Sequence, residues 1–378
     1  MPEIFIHTML LNRASRDKIY REVGIMEKLW KKNLRDIEPY IPGEQSKEKN
    51  IVKLNANENP YPPSPKVFEA IKNFDCNALR FYPDANASAF KQAMAEYYGV
   101  EAENVFLGNG SDDVLALCFQ AFFNGNKPIA FPDITYSFYP VWCRLFRIPY
   151  KNYPLNNDFR INIEDYREEN GGVVIPNPNA PTSLGEGRGF IEKLMEYNAD
   201  SIVIIDEAYV DFGCYSSVEL TKKYDNLIVT GTFSKSRSLA GMRIGYAIAS
   251  QELISVLEAV KNSYNSYTVN SVSMAAGTAA IRDKEYFENT VSKVIATRER
   301  VGKEMRKLGF TVLDSQTNFI FATHDSKNMK DYFEWLKTQK VFIRYFNLPR
   351  IDNYVRITVG TDDEMDVFLE KTKAYLNK

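Results

Sequence analysis

Several common chemistries are missing from this chain. Only two of its 378 residues are histidine, His7 and His324. That excludes a histidine-rich metal site, and no metal is expected. The four cysteines, Cys76, Cys118, Cys143 and Cys214, are scattered without a C-x-x-C pair. They read as reduced, mostly buried thiols in a cytoplasmic protein. No G-x-S-x-G occurs, which excludes the serine-hydrolase elbow. No apolar run approaches the roughly 20 residues that a membrane span needs. A net charge of −2 leaves no electrostatic footprint for nucleic acid.

Residues 1–25 mix Arg13, Arg16, Lys18 and Arg21 with Glu3, Asp17 and Glu22. They contain no sustained apolar stretch, which argues against a secretory signal. Either Met26 is the true start and residues 1–25 are an upstream extension, or they form an ordinary N-terminal arm.

What remains has the composition of a soluble globular protein, 44% hydrophobic and 25% charged. The length suits about two domains. Short apolar runs at Val105–Leu107, Ile129–Phe131, Val173–Ile175, Ile202–Ile205, Leu227–Val229 and Ile244–Ile248 alternate with amphipathic stretches. Continuous apolar strands separated by helices predict an α/β fold: a large domain whose mostly parallel central sheet is covered on both faces. Beyond about residue 250 the pattern predicts a long helix over Glu252–Ala280 and a charged helix over Lys284–Leu308. Short strands and one more helix then give a smaller α+β C-terminal domain. The expected division is 1–50 as extension and arm, 51–275 as the large domain and 276–378 as the small one.

Chemistry gathers where the apolar runs end. Thr232-Phe233-Ser234-Lys235 follows one of them, and Arg243 lies eight positions beyond the lysine. Strand ends are where ligands bind in open α/β sheets. A lysine amine there can form a Schiff base with an aldehyde, while hydroxyls and an arginine hold a phosphate. One molecule carrying both groups is pyridoxal phosphate. Asp206 ends another run, 29 residues before Lys235, and a carboxylate there can keep the pyridinium nitrogen of that cofactor protonated. Gly108-Asn109-Gly110-Ser111-Asp112 joins a strand to a helix whose free N–H groups suit a phosphate. It is not a dinucleotide fingerprint, because Asp113 stands at the third glycine position. Pro176-Asn177-Pro178-Asn179-Ala180-Pro181-Thr182 offers amide donors to the ring's phenolate oxygen, and Tyr136 could stack on the ring. Each motif alone reads equally as a cap, turn or packing residue. Four of them after four strands supply four different groups that one cofactor needs.

With these motifs the chain resembles the fold-type-I PLP-dependent aminotransferases from about Glu27 onward. Leu54-Asn55-Ala56-Asn57-Glu58-Asn59-Pro60, Arg80-Phe81-Tyr82-Pro83, Asp206-Glu207-Ala208-Tyr209 and Arg356-Ile357-Thr358-Val359-Gly360-Thr361 resemble the branch that acts on histidinol phosphate. The resemblance implies that Lys235 is the Schiff-base lysine and proton carrier. It implies that Asp206 pairs with the pyridinium and that Tyr209 contacts the phenolate oxygen. Thr232, Ser234, Arg243 and the backbone of Gly110, Ser111 and Asp112 would hold the phosphate, with Tyr136 stacked on the ring. Tyr82 would reach the phosphate in the neighbouring subunit, making the active unit a homodimer. Arg356 would bind the substrate's anionic group, with Arg344 and Tyr40 nearby. The implied substrates are a phosphorylated amino alcohol and the pair L-glutamate and 2-oxoglutarate.

The chain departs from the family at Ala180, where many members carry the asparagine that touches the ring. Either Asn179 reaches the ring oxygen through a shifted loop, which is the expectation here, or Tyr209 holds it alone. The same cofactor site would also serve a threonine-phosphate decarboxylase or an aromatic or broad-range aminotransferase. A PLP-sensing regulator would need a helix-turn-helix, and the residues before Leu54 carry no such pattern.

Overall fold

The computed structural model describes residues 29–35, 37–40, 44, 48 and 50–378. Residues 1–25 and Met26, with the two readings of the N-terminus, lie outside the described residues.

After β1 (Val52–Lys53) come helices α1 (Pro65–Lys72) and α2 (Ser88–Tyr98). Alternation then begins: β2 (Val105–Gly108), α3 (Ser111–Phe122), β3 (Ile129–Pro132), α4 (Phe138–Phe146), β4 (Tyr150–Tyr153), β5 (Val173–Pro176), α5 (Arg188–Tyr197), β6 (Val203–Asp206), β7 (Leu227–Thr232) and β8 (Gly245–Ile248). These seven strands form one sheet in the order β2-β8-β7-β6-β5-β3-β4. Only β8 runs against its neighbours, so the carboxyl ends of the other six share one edge.

The apolar strands are continuous because both faces of the sheet are covered. Val105, Leu107, Val173, Ile175, Val203, Ile205, Leu227 and Val229 point into one core. Phe106, Val174, Ile204 and Ile228, between them in sequence, point into a second core on the opposite face, as the two-residue period of a strand requires. The edge strand β4 has three exposed residues and then buried Tyr153. It presents no apolar run, which is why the sequence reading passes over it.

The single helix expected over Glu252–Ala280 is two, α6 (Gln251–Tyr264) and α7 (Ser271–Arg282). Asn270 stops the run: its side chain accepts a hydrogen bond from Ser273 N and caps α7. Next are α8 (Lys284–Lys307), β9 (Phe310–Val312), β10 (Phe319–His324), α9 (Met329–Thr338), β11 (Val341–Phe342), β12 (Arg344–Tyr345), β13 (Val355–Thr358) and α10 (Asp362–Leu376). An antiparallel sheet of order β12-β13-β10-β9 lies over a third core. The early strand β1 pairs in parallel with β11, and Leu54 is buried in that third core. The segment 52–54 therefore packs with the C-terminal unit, although the sequence division places it in the large domain.

Candidate active site

The sheet register sets the site. Gly245 of β8 lies between Gly108 of β2 and Thr232 of β7, which brings the two glycine- and hydroxyl-bearing ends together. Gly110 opens α3 with a φ of 90°, where a side chain is strained. A Cβ on Gly110 would also lie 2.5 Å from the Arg243 guanidinium. A Cβ on Gly245 would lie 2.3 Å from Ser111 N. The two glycines thus let the N-terminus of α3, the end of β7 and Arg243 converge. Thr232 and Ser234 are buried there, with their hydroxyls 3.0 Å apart. Arg243 lies 3.4 Å from Asp112 Oδ2 and stays half exposed. Free helix N–H groups, two hydroxyls and an arginine make a cradle for a phosphate.

Asp206 ends β6 and is buried. Burial pushes its carboxyl up to about 6, against the hydrogen bonds it receives. One of these comes from Tyr139 Oη to Oδ2 at 2.7 Å and the other from Ala208 N to Oδ1 at 3.3 Å. No cation pairs with it among the described residues, so a bound ring N–H⁺ would supply the missing charge. Tyr136 donates its hydroxyl to Asp112 Oδ1 at 2.7 Å, which fixes its ring beside the start of α3.

Lys235 follows β7. Its Nζ lies 5.6 Å from the centroid of the Tyr209 ring and makes no hydrogen bond or ion pair among the described residues. Asn59 Nδ2 donates to the Lys235 carbonyl at 2.9 Å, which ties the lysine's backbone down while its amine stays available. Tyr209 Oη accepts from Asn57 Nδ2 at 2.9 Å.

Arg344 and Arg356 are directly paired across β12 and β13. Each guanidinium lies 5.6 Å from the centroid of the Phe346 ring. Neither has a carboxylate partner among the described residues, and Arg356 Nε is buried without a hydrogen bond. Burial lowers the pKa of Arg356, and the like charge of Arg344 adds to it. Two adjacent cations without counterions form an anion site. Tyr40 stacks on Phe138, centroids 4.3 Å apart, and Phe138 packs near Tyr136.

Asn179 does not meet the expectation placed on it. Its two amide hydrogens go to the Ile134 carbonyl at 2.9 Å and to Thr182 Oγ1 at 3.0 Å. Its Oδ1 accepts from Thr135 Oγ1. The amide is spent on bracing the loop that precedes Tyr136, so no hydrogen is left for a ring oxygen. Tyr82 stands apart from this group: it is 81% exposed and stacked on Tyr267.

The sequence reading assigned no role to Asn55, Asn57, Asn59 or Tyr139. Asn55 O accepts from Arg356 Nη2 at 3.0 Å. Asn55, Asn57 and Asn59 therefore each touch a different site residue. The Asn-x-Asn-x-Asn repeat in the sequence was the available signal. Tyr139 lies one helical turn beyond Tyr136 and gave none.

A lysine, a buried carboxylate and a phosphate cradle on one sheet edge are the groups that a pyridoxal-phosphate enzyme needs. The chain belongs to the family Aminotransferase class I and II, which matches residues 49–371. It is 50% identical over 353 residues to the histidinol-phosphate aminotransferase of Clostridium botulinum (strain Okra / Type B1), covering 93% of this chain and all of that one. It is 51% identical over 340 residues to the histidinol-phosphate aminotransferase of Acinetobacter baumannii (strain SDF), covering 89% and 94%. The fold matches the histidinol-phosphate aminotransferase of Sinorhizobium meliloti, solved in complex with pyridoxal-5'-phosphate. The TM-score is 0.78 at 23% identity, covering 86% of this chain and 90% of that one. The protein is an enzyme of this family, and its cofactor is pyridoxal phosphate.

Proposed function

We propose that this enzyme transfers the amino group of histidinol phosphate to 2-oxoglutarate, giving imidazole-acetol phosphate and L-glutamate, a step of histidine biosynthesis. The observation that carries the substrate reading is the Arg344–Arg356 pair. Guanidinium pairs bidentately with a carboxylate or a phosphate alike, so one site can serve both substrates in turn. The relatives at half identity are named histidinol-phosphate aminotransferase, which supports this reading.

Bound pyridoxal phosphate supplies an aldehyde for the amine and a protonated ring that withdraws electrons from the substrate carbon. Lys235 would hold the aldehyde through Nζ. Its amine, with no hydrogen-bond or ion-pair partner among the described residues, would also be free to act as the base that moves the substrate's proton. Asp206 would hold the ring N–H⁺ in a buried setting where each charge needs the other. Tyr209 would donate its hydroxyl hydrogen to the ring oxygen, Tyr136 would stack on the ring, and Thr232, Ser234 and Arg243 would anchor the phosphate. Arg344 and Arg356 orient the substrate, with Tyr40 beside them.

A homodimer completes the reading. Phe68, Leu79, Phe81 and Tyr264 are each more than half exposed, and a second copy would cover them while receiving Tyr82 at its own phosphate cradle. The thiols have no disulfide among the described residues, which suits a cytoplasmic location. The test is steady-state turnover with 2-oxoglutarate against histidinol phosphate, phosphothreonine and phenylalanine. The reading expects the highest kcat/KM for histidinol phosphate. A higher value for phenylalanine, or carbon dioxide release from phosphothreonine, would move the function to a sister activity.

A further inference from the structure

The segment 55–59 links the substrate arginine, the ring-oxygen tyrosine and the lysine, and its central residue does the most. Asn57 is buried and left-handed, with a φ of 54°. Its backbone N donates to Thr358 Oγ1 at 2.9 Å, and its Oδ1 accepts the Thr358 hydroxyl at 3.1 Å. Its carbonyl accepts from Asn318 Nδ2 at 3.0 Å. With the oxygen side of the amide claimed by Thr358, Nδ2 must face Tyr209, and it donates to Oη at 2.9 Å. Tyr209 Oη therefore has one acceptor position filled. Its own hydrogen has no acceptor among the described residues.

We propose that Asn57 is a positioning residue that aims the Tyr209 hydroxyl hydrogen at the ring oxygen, and that it offsets the amide missing at Ala180. The inference rests on the reading of Tyr209 given above. A hydroxyl that accepts one hydrogen bond is a stronger donor in the next. Occupying the lone pair on the Asn57 side also turns the O–H away from Asn57. Because Asn57 is locked to Thr358, two residues beyond Arg356 on β13, the donor is set relative to the strand that carries the substrate arginine. The conventional ring amide would have come from the loop after β5. In this chain Asn179 is spent there, and the second support comes from the segment after β1.

The test is the pH titration of the absorbance band of the lysine-bound cofactor in the holoenzyme. Donation to the ring oxygen counts most when the neighbouring nitrogen on Lys235 has lost its proton, because the oxygen's charge is then unshared. Weaker donation therefore raises the midpoint. Tyr209→Phe is expected to raise it by roughly one pH unit and Asn57→Gly by roughly half a unit. Glycine keeps the left-handed backbone, so the chain should still fold, which far-ultraviolet circular dichroism checks. Asn57→Asp keeps the shape but replaces a donor with an acceptor that captures the Tyr209 hydrogen. It should raise the midpoint at least as far as Asn57→Gly. The Asn57→Gly/Tyr209→Phe double variant should go no higher than Tyr209→Phe alone. A midpoint that moves in Tyr209→Phe but stays at the wild-type value in both Asn57 variants overturns the inference. A midpoint unmoved by Tyr209→Phe overturns the reading of Tyr209 and the inference with it.

Discussion

Replacing Asp206 with asparagine should stabilise the cofactor-free protein while disabling the loaded enzyme. Burial holds this carboxyl at about 6 rather than at the ordinary 3.8, which corresponds to a penalty of about 3 kcal/mol on the folded, ionised form. Between those two pH values the folded chain binds the proton more tightly than the unfolded chain does. The site therefore lowers stability as pH rises through that window, and does so in full above about 6. In Asp206→Asn the side-chain oxygen can still accept from Tyr139, but the buried amide costs about 1–2 kcal/mol of its own. The net gain at pH 8 is about 1–2 kcal/mol; at pH 5 the wild-type carboxyl has taken up most of its proton, its penalty falls by roughly half, and the net gain falls to about zero. Urea unfolding of cofactor-stripped protein at the two pH values measures it. Glu207, next in sequence, is also buried and pushed up to about 8, so only the difference between variant and wild type isolates Asp206. The loaded variant should lose at least about a hundredfold in kcat. A cofactor-free Asp206→Asn protein no more stable than wild type at pH 8 would refute the reasoning. It would mean that the carboxylate has a compensating partner inside the chain.

Lys235→Ala should abolish turnover and leave the circular dichroism spectrum unchanged, and wild-type-like turnover would sink the assignment of Lys235. Tyr139→Phe removes the 2.7 Å hydrogen bond to Asp206 and should weaken cofactor binding by roughly tenfold or more, read by equilibrium titration. Arg356→Lys keeps the charge but loses the fork. It should raise KM for both substrates by roughly tenfold while changing kcat less, in steady-state kinetics. Gly110→Ala would push a methyl group into Arg243 and should weaken cofactor affinity more than it lowers melting temperature.

The parts of this architecture that were legible in the sequence share one property, a local pattern with a physical cause. Strands β2, β5, β6 and β7 announce themselves because both faces are buried, so each carries an unbroken run of at least three apolar residues. Asp206 stands out because it ends such a strand, and Lys235 because it lies three residues past the end of one. Strand β4 was not legible because its exposed residues break that pattern. The break between α6 and α7 was not read because it depends on one capping asparagine inside an otherwise helical stretch. Asn57 and Tyr209 are 152 residues apart, and Tyr139 and Asp206 are 67 apart. Nothing in either pair's local sequence signals the other, since only the fold brings them into contact. Asn179 is harder to read only in part for that reason, since Ile134 is 45 residues away but Thr182 only three. Its position beside Ala180 suggested a substitute donor, yet its hydrogens are claimed by Ile134 and Thr182.

The most direct test of the central claim is the half-reaction. Purified holoenzyme is mixed with histidinol phosphate alone, and the absorbance band of the lysine-bound cofactor is followed before 2-oxoglutarate is added. The account predicts that the band disappears with the first substrate and returns with the second. A band that is unmoved by histidinol phosphate, or no band after incubation with pyridoxal phosphate, would contradict it.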